Sequence, residues 1–303
     1  MAELKVDYAG VKFRNPTVLV SGVFGTDAAS LKRAAKAGAG AVTMKSIGPE
    51  ERQGHNNPTV VATEHFMHNA VGLPTPGYKN MGDKWEALKS RDFPLIASVF
   101  ATSVEEHAIV AEEVASHKPD LIELNLSCPN VKGLGHAFGT DPETAAKIVE
   151  EVKKVSGKIP VIAKLTPNTH RLVEVGKACE EAGANGLVAI NTLGGMMINI
   201  DARRPILHNK FGGVSGPAIK PVAVKSIYQL YANCKIPILG MGGIMNGEDA
   251  IELMMAGASA VGIGTAVHYR GIEVFELVVK EMNDWMDKNG VKKVSDLVGV
   301  AHE

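Results

Sequence analysis

The segment NLSCPN, Asn125 to Asn130, sets a thiol between two asparagines. Carboxamides both donate and accept hydrogen bonds, so Asn125 and Asn130 suit the N–H and C=O groups of a planar imide or amide. Cys128, as a thiolate, could serve there as nucleophile or general base. Other polar residues close short apolar runs: Lys45 and Ser46 follow AVTM, Lys164 ends VIAK, and Asn191 and Thr192 follow LVAI. A single lysine at a strand end is more often a solvated terminus, but two lysines, two asparagines and a cysteine brought to one rim point to a functional site.

Two glycine motifs carry a second message. GMGGI (Gly240 to Ile244) and GIGTA (Gly262 to Ala266) offer the amides of Gly242, Gly243, Gly264 and Thr265 with little side chain in the way, which fits a phosphate and hence a phosphorylated cofactor. GGVSGPAIKP (Gly212 to Pro221) reads as a Gly-rich loop running into a helix, with Pro217 at its start. The loop Val131 to Pro142 after Cys128 is flexible enough to close over a ligand. Its His136 could pair with Cys128, although a surface imidazole is the blander account. His65 and His68 in EHFMH have helix-compatible spacing but no third ligand nearby, so no metal is expected. Cys179 and Cys234 read as buried apolar residues.

These residues need elements to position them. Apolar or β-branched runs recur at 17–21, 41–45, 95–99, 121–126, 161–165, 187–191, 238–241 and 260–264, and most are continuous, as strands covered on both faces require. Helical patterns separate them at 103–117, 141–155, 170–182 and 247–256. AGAGAV, AGANGLV and AGASAV, beginning at Ala37, Ala182 and Ala256, each place a helix-ending glycine before a strand. An α/β fold follows, a TIM (β/α)8 barrel in a single domain over 1–303, with a doubly wound open sheet as the structural alternative. The polar residues then fall at C-terminal strand ends, where such barrels hold their sites. Gly48 to Asn80, rich in Gly, Pro and Asn, reads as an inserted loop region over that face.

Composition narrows the function. The 303 residues are 45% hydrophobic and 21% charged, enough for a large core. Lys+Arg 32 against Asp+Glu 33 gives a formal charge of −1, so nucleic acid is not an expected partner. The longest uncharged apolar run, between Glu252 and His268, is too short to span a bilayer, and the N-terminus shows no secretory pattern; a cytoplasmic protein is expected. Three dispersed cysteines predict neither a disulfide framework nor an iron–sulfur cluster built by this chain alone.

NAVGLPTPG (Asn69 to Gly77), ELNLSCPN (Glu123 to Asn130), VIAKLTPN (Val161 to Asn168), INTLGG (Ile190 to Gly195), GGVSGPAIKP, GMGGI and GIGTA resemble, in order and spacing, the dihydroorotate dehydrogenase family. The resemblance implies a flavin-binding TIM barrel that oxidises (S)-dihydroorotate to orotate in de novo pyrimidine (UMP) biosynthesis. It implies one FMN per chain, held by Ser21, Lys45, Ser46, Asn125, Lys164 and Ile190, with Gly216, Gly242, Gly243, Gly264 and Thr265 on its phosphate and ribityl side. Substrate would meet Lys45, Asn69, Ala70, Val71, Gly72, Leu73, Asn125, Asn130, Asn191 and Thr192, with Cys128 as the base.

Cysteine at 128 resembles class 1 of the family, whereas class 2 has serine. NKFGGVSGPAIKPVAVKSIYQLY (Asn209 to Tyr231) looks most like the class 1B catalytic subunit. That branch implies a homodimer core within a heterotetramer and a partner subunit carrying FAD and a [2Fe–2S] cluster, through which electrons reach NAD⁺. A class 1A-like homodimer using fumarate and a non-catalytic flavin electron-transfer protein are the alternatives. A tRNA dihydrouridine synthase, also a flavin barrel, is disfavoured by the neutral charge. Thr75 departs from the family pattern, where relatives commonly have Asn.

Overall fold

The computed structural model describes residues 2–127 and 138–302, so Cys128, Asn130 and His136 lie outside the described residues. All eight expected strands form: β1 (Thr17–Leu19), β2 (Ala41–Thr43), β3 (Leu95–Val99), β4 (Leu121–Asn125), β5 (Val161–Lys164), β6 (Gly186–Ala189), β7 (Ile238–Met241) and β8 (Ala258–Ile263). They follow one another around a closed parallel barrel. Val261↔Thr17, Gly262↔Val18 and Ile263↔Leu19 join the last strand to the first, which excludes the open sheet. Nearly every strand residue is buried, because helices cover the outer face and side chains fill the interior.

The covering helices are α1 (Ala28–Lys36), α2 (Gly82–Leu88), α3 (Val104–Ser116), α4 (Pro142–Val155), α5 (Leu172–Glu181), α6 (Lys220–Tyr231), α7 (Gly247–Met255), the short α8 (Ala266–Arg270) and α9 (Val274–Asn289). Their ends are written in the sequence. Ser103 caps α3 by accepting from the Glu106 amide, and Asp141 caps α4 by accepting from the Thr144 amide. At the other end, Gly38, Gly183 and Gly257 take φ of +106°, +93° and +123° one residue past the C-caps of α1, α5 and α7, as the AGxxx repeat predicts.

The two barrel mouths are finished differently. At the N-terminal mouth a hairpin of Val6–Tyr8 and Val11–Phe13 brings in Tyr8, fully buried, whose hydroxyl donates to the Leu187 carbonyl at 2.7 Å. At the C-terminal side the Gly48 to Asn80 insertion is more than a loop. Its strands Val60–Ala62 and Met67–Asn69 join Phe211–Ser215 and Leu193–Met196 in a four-stranded antiparallel sheet.

Two sequence expectations change here. Most of the glycine-rich loop expected from Gly212 is strand, followed by a 3₁₀ turn, Pro217–Ile219, before α6. His65 and His68 share no helix: His68 is buried in the inserted sheet, and its Nε2 donates to the Gly195 carbonyl at 3.1 Å. Among the described residues no helix is long and apolar enough to cross a membrane.

Candidate active site

The polar residues singled out at the strand exits converge. Asn125 and Lys164 are register partners on β4 and β5, and both are buried. The Asn191 side chain, just past β6, donates through Nδ2 to Asn125 Oδ1 at 3.2 Å, and Asn191 Oδ1 accepts the Thr192 backbone amide at 2.8 Å. Thr192 in turn lies against Gly213, where a Cβ would sit 2.1 Å from its hydroxyl oxygen. Gly213 pairs with Asn69, whose carboxamide donates to the Gly213 carbonyl at 3.3 Å. Hydrogen bonds and this one close contact thus link two barrel strands to the inserted sheet.

Lys45 enters from the exit of β2. Burial pushes its ammonium pKa below the usual lysine value, and the like charge of Lys164 pushes the same way. A cation that is both buried and within reach of a second cation's charge favours a neighbouring anion. Lys45 also lines a cavity of about 180 Å³ with Thr26, Ser46, Thr75 and Lys84. Lys84, from α2, has its pKa lowered by burial against an opposing pull from Asp27, and nothing in the sequence pattern had marked it. Ala70, Val71, Gly72 and Leu73 form the segment leading to this wall. The His55 amide donates to the Val71 carbonyl at 3.0 Å, and the Ala70 amide donates to Thr59 at 2.8 Å. Thr75 has a local role despite its departure from the family pattern: its hydroxyl accepts from the Gly77 amide at 3.3 Å, and its backbone pairs with Arg52.

The remaining expected residues gather on the β7, β8 and β1 side. Gly242 and Gly243 have φ of +130° and +83°, and a Cβ on Gly243 would lie 2.6 Å from Lys220 Cβ, so the β7 turn packs directly on the start of α6. Ile190 comes against Gly242, and Thr265 against Gly216. The Thr265 hydroxyl donates to Ser215 Oγ at 2.8 Å. Gly264 packs on Val20, next to Ser21. Ser21, Ser46 and Ser98 make a hydroxyl ladder with Oγ separations of 3.1 and 2.9 Å.

These observations fit a phosphorylated, imide-bearing planar cofactor. The glycine turns are only partly buried, the hydroxyl ladder and carboxamides supply hydrogen bonds, and the lysines supply charge. Ser127 Oγ, at the β4 exit, is buried with no partner among the described residues, as expected beside a pocket that a ligand completes. Among the described residues no cluster of His, Cys, Asp and Glu could hold a metal. Cys179 and Cys234 are buried and unbridged, and burial pushes their thiols up to about 12 and about 11.

Besides Lys84, three contributors are not marked by the sequence pattern. Asn168 donates to the Thr192 carbonyl at 3.0 Å and accepts the Gly194 amide at 2.7 Å, fixing Thr192 and the start of the strand that follows it. Ser98 extends the hydroxyl ladder. Glu123 lies beneath Lys164, with Oε1 3.9 Å from Nζ. Asn168 and Glu123 stand within motifs already distinguished, VIAKLTPN and ELNLSCPN, which was the available signal.

Comparison with known proteins agrees in extent with this architecture. The family model described as dihydroorotate dehydrogenase matches residues 3–286. The chain is 46% identical over 304 residues to a Methanocaldococcus jannaschii protein named "Dihydroorotate dehydrogenase B (NAD(+)), catalytic subunit", covering 99% of this chain and 98% of that one. Proteins of the same name from Pyrococcus furiosus (47% identical, 99% of each chain) and Thermococcus kodakarensis (45% identical, 100% and 99%) are similarly close.

Proposed function

This chain belongs to the dihydroorotate dehydrogenase family, and from that premise we propose that it oxidises (S)-dihydroorotate to orotate in de novo pyrimidine biosynthesis. We read it as the catalytic subunit of an NAD⁺-linked cytoplasmic enzyme. The observation that carries this reading is the junction of Lys45 and Lys164 with the Asn125, Asn191 and Thr192 network at the mouth of a closed barrel.

The residues divide the work by their chemistry. Lys45 holds the substrate carboxylate, since a partly dehydrated ammonium gains most from an anion. Asn69, Asn125, Asn130 and Asn191 hydrogen-bond the ring N–H and C=O groups, and Thr192 closes the set. Cross-linking among Asn125, Asn191, Asn168 and the inserted sheet means these groups are oriented before substrate arrives, which lowers the entropy cost of reaction. Ala70, Val71, Gly72 and Leu73 cover the ligand and help to exclude water. FMN, when bound along Ser21, Ser46, Lys164, Ile190, Gly216, Gly242, Gly243, Gly264 and Thr265, supplies the acceptor for the hydride that leaves substrate C6. Cys128 takes the C5 proton as the C5=C6 double bond forms.

Electrons leave through a second subunit carrying FAD and a [2Fe–2S] cluster, in an assembly built on a dimer of this chain. The named relatives are catalytic subunits of an NAD(+) enzyme, which supports a separate electron-transfer partner. Ile198, Ile200 and Phe211 stand exposed on the arms after β6, apolar surface that an assembled neighbour would cover.

The test is purification of the chain alone and with its native partner. The isolated chain should be yellow, and anaerobic dihydroorotate should bleach it with one orotate formed per flavin. NAD⁺ reduction should appear only with the partner present. A colourless protein without flavin affinity contradicts the cofactor, and fumarate-dependent turnover by the isolated chain contradicts the NAD⁺ branch.

A further inference from the structure

Glu123 stands two residues before Asn125 on β4, so its side chain faces the same barrel interior one layer deeper. It is 0% exposed, and neither carboxylate oxygen has a hydrogen-bond partner among the described residues. Lys164 Nζ lies 3.9 Å from Oε1, beyond hydrogen-bond reach. Branched apolar side chains ordinarily fill this layer of a barrel, and a buried carboxylate without hydrogen bonds is expensive. Packing therefore gives no reason for an acid here.

The charge acts on both sides. Toward the N-terminal mouth, Glu123 adds to burial in raising the Tyr8 phenol well above its ordinary range. Toward the other mouth it meets Lys164, whose charge is felt by Lys45. The titratable groups that face it are thus Tyr8 from the N-terminal hairpin, Lys164 on β5 and, behind Lys164, Lys45 from the β2 exit.

We propose that Glu123 is a positioning residue acting through Lys164: its carboxylate offsets the ammonium charge at the cofactor's edge and so holds the reduction potential of bound FMN lower than an unopposed lysine would set it. This rests on the reading of the pocket as an FMN site. An unopposed cation stabilises negative charge gained on reduction and makes the reduced cofactor a poorer electron donor. An enzyme that must pass two electrons onward to NAD⁺, a weak oxidant, gains from tempering that cation while keeping its grip on the cofactor.

The experiment is a potentiometric titration of the FMN-loaded full chain followed by flavin absorbance. Glu123→Gln removes the charge with little change of shape. It should shift the oxidised–reduced equilibrium at least tenfold toward the reduced form, about 30 mV upward for a two-electron couple. Lys164→Gln should move the potential in the opposite direction, and Glu123→Asp, which restores a carboxylate farther from Nζ, should recover most of the shift while leaving a small upward remainder. A Glu123→Gln potential within twofold of the parent's, or below it, overturns the proposal. If Glu123→Gln does not fold, Glu123→Asp decides: an upward shift supports the proposal and none refutes it. A parent chain that binds no FMN overturns the pocket assignment and this inference with it, whereas a flavin-loaded parent with an insensitive potential overturns only the inference.

Discussion

The two mouths of the barrel hold polar groups for different ends. At the N-terminal mouth they are spent on backbone: Tyr8 donates to the Leu187 carbonyl, Arg14 reaches the carbonyls of Ala35 and Ala39, and Asn15 joins Gly38 to Thr17. Such pairing satisfies these buried donors and acceptors within the protein itself. At the C-terminal mouth some side chains also hold backbone, as Asn69 and Asn168 do, but others bond one another, as Asn125 does with Asn191, or feel a like charge, as Lys45 does that of Lys164. Ser127 there lacks any described partner. A mouth whose polar groups are closed on the backbone is structural, and one whose groups remain in each other's company is built for a ligand.

This contrast can be broken by mutation. The largest effect is expected from Cys128→Ala at the C-terminal mouth: flavin reduction by dihydroorotate should slow about 10²–10⁴-fold in anaerobic stopped flow, with FMN content and melting temperature unchanged. An undiminished rate removes Cys128 as the base. At the opposite mouth Tyr8→Ala should lower stability by about 3–5 kcal/mol in denaturant unfolding. Turnover per folded, flavin-loaded molecule should stay near the parent's, and a large loss there would make the N-terminal mouth functional after all.

Gly243→Ala tests the cofactor side more gently. The positive φ and the 2.6 Å approach to Lys220 Cβ impose about 1–3 kcal/mol of strain on the turn. FMN should bind about 5- to 100-fold more weakly by fluorescence titration; equal affinity would detach that turn from the cofactor.

The smallest effect sharpens the rule that pairing, not location, decides the role. Asp141 follows the β4 exit yet serves as the cap of α4, so Asp141→Ala should cost about 1 kcal/mol of stability and leave flavin reduction alone. Hydrogen bonds from the Thr144 hydroxyl and amide, opposed by some burial, hold its carboxyl below the usual value. A depressed folded-state pKa means that the contribution is present above the unfolded value of about 3.9 and fades as pH falls through the lower, folded one. The stability gap between parent and variant should therefore narrow below about pH 4, and a constant gap would assign it to something other than the charged cap.

Much of this was legible in the sequence, for local reasons. Continuous apolar runs announced strands buried on both faces, capping residues and the AGxxx repeat marked helix ends, and misplaced polar residues such as Lys164 and Asn191 marked the strand exits. The inserted sheet was not legible. Gly212 and Gly213 lack the alternating side chains that identify a strand, and they are held there by Asn69, which lies 144 positions from Gly213. Glu123 likewise stood inside a recognised motif without a role, because a buried charge is defined by what surrounds it.

The order of residues thus determined the alternation of strand and helix, the helix stops and the residue types offered at each exit, since these depend on backbone preferences and on burial with a short period. Tertiary closure alone decided that Asn125 should meet Asn191 across 66 residues, that Lys45 should feel the charge of Lys164, and that an acid should lie unbonded beneath Lys164. Local propensity acts over a few residues, whereas the energy of a charge depends on its depth and distance from others, and those quantities exist only once the barrel has closed.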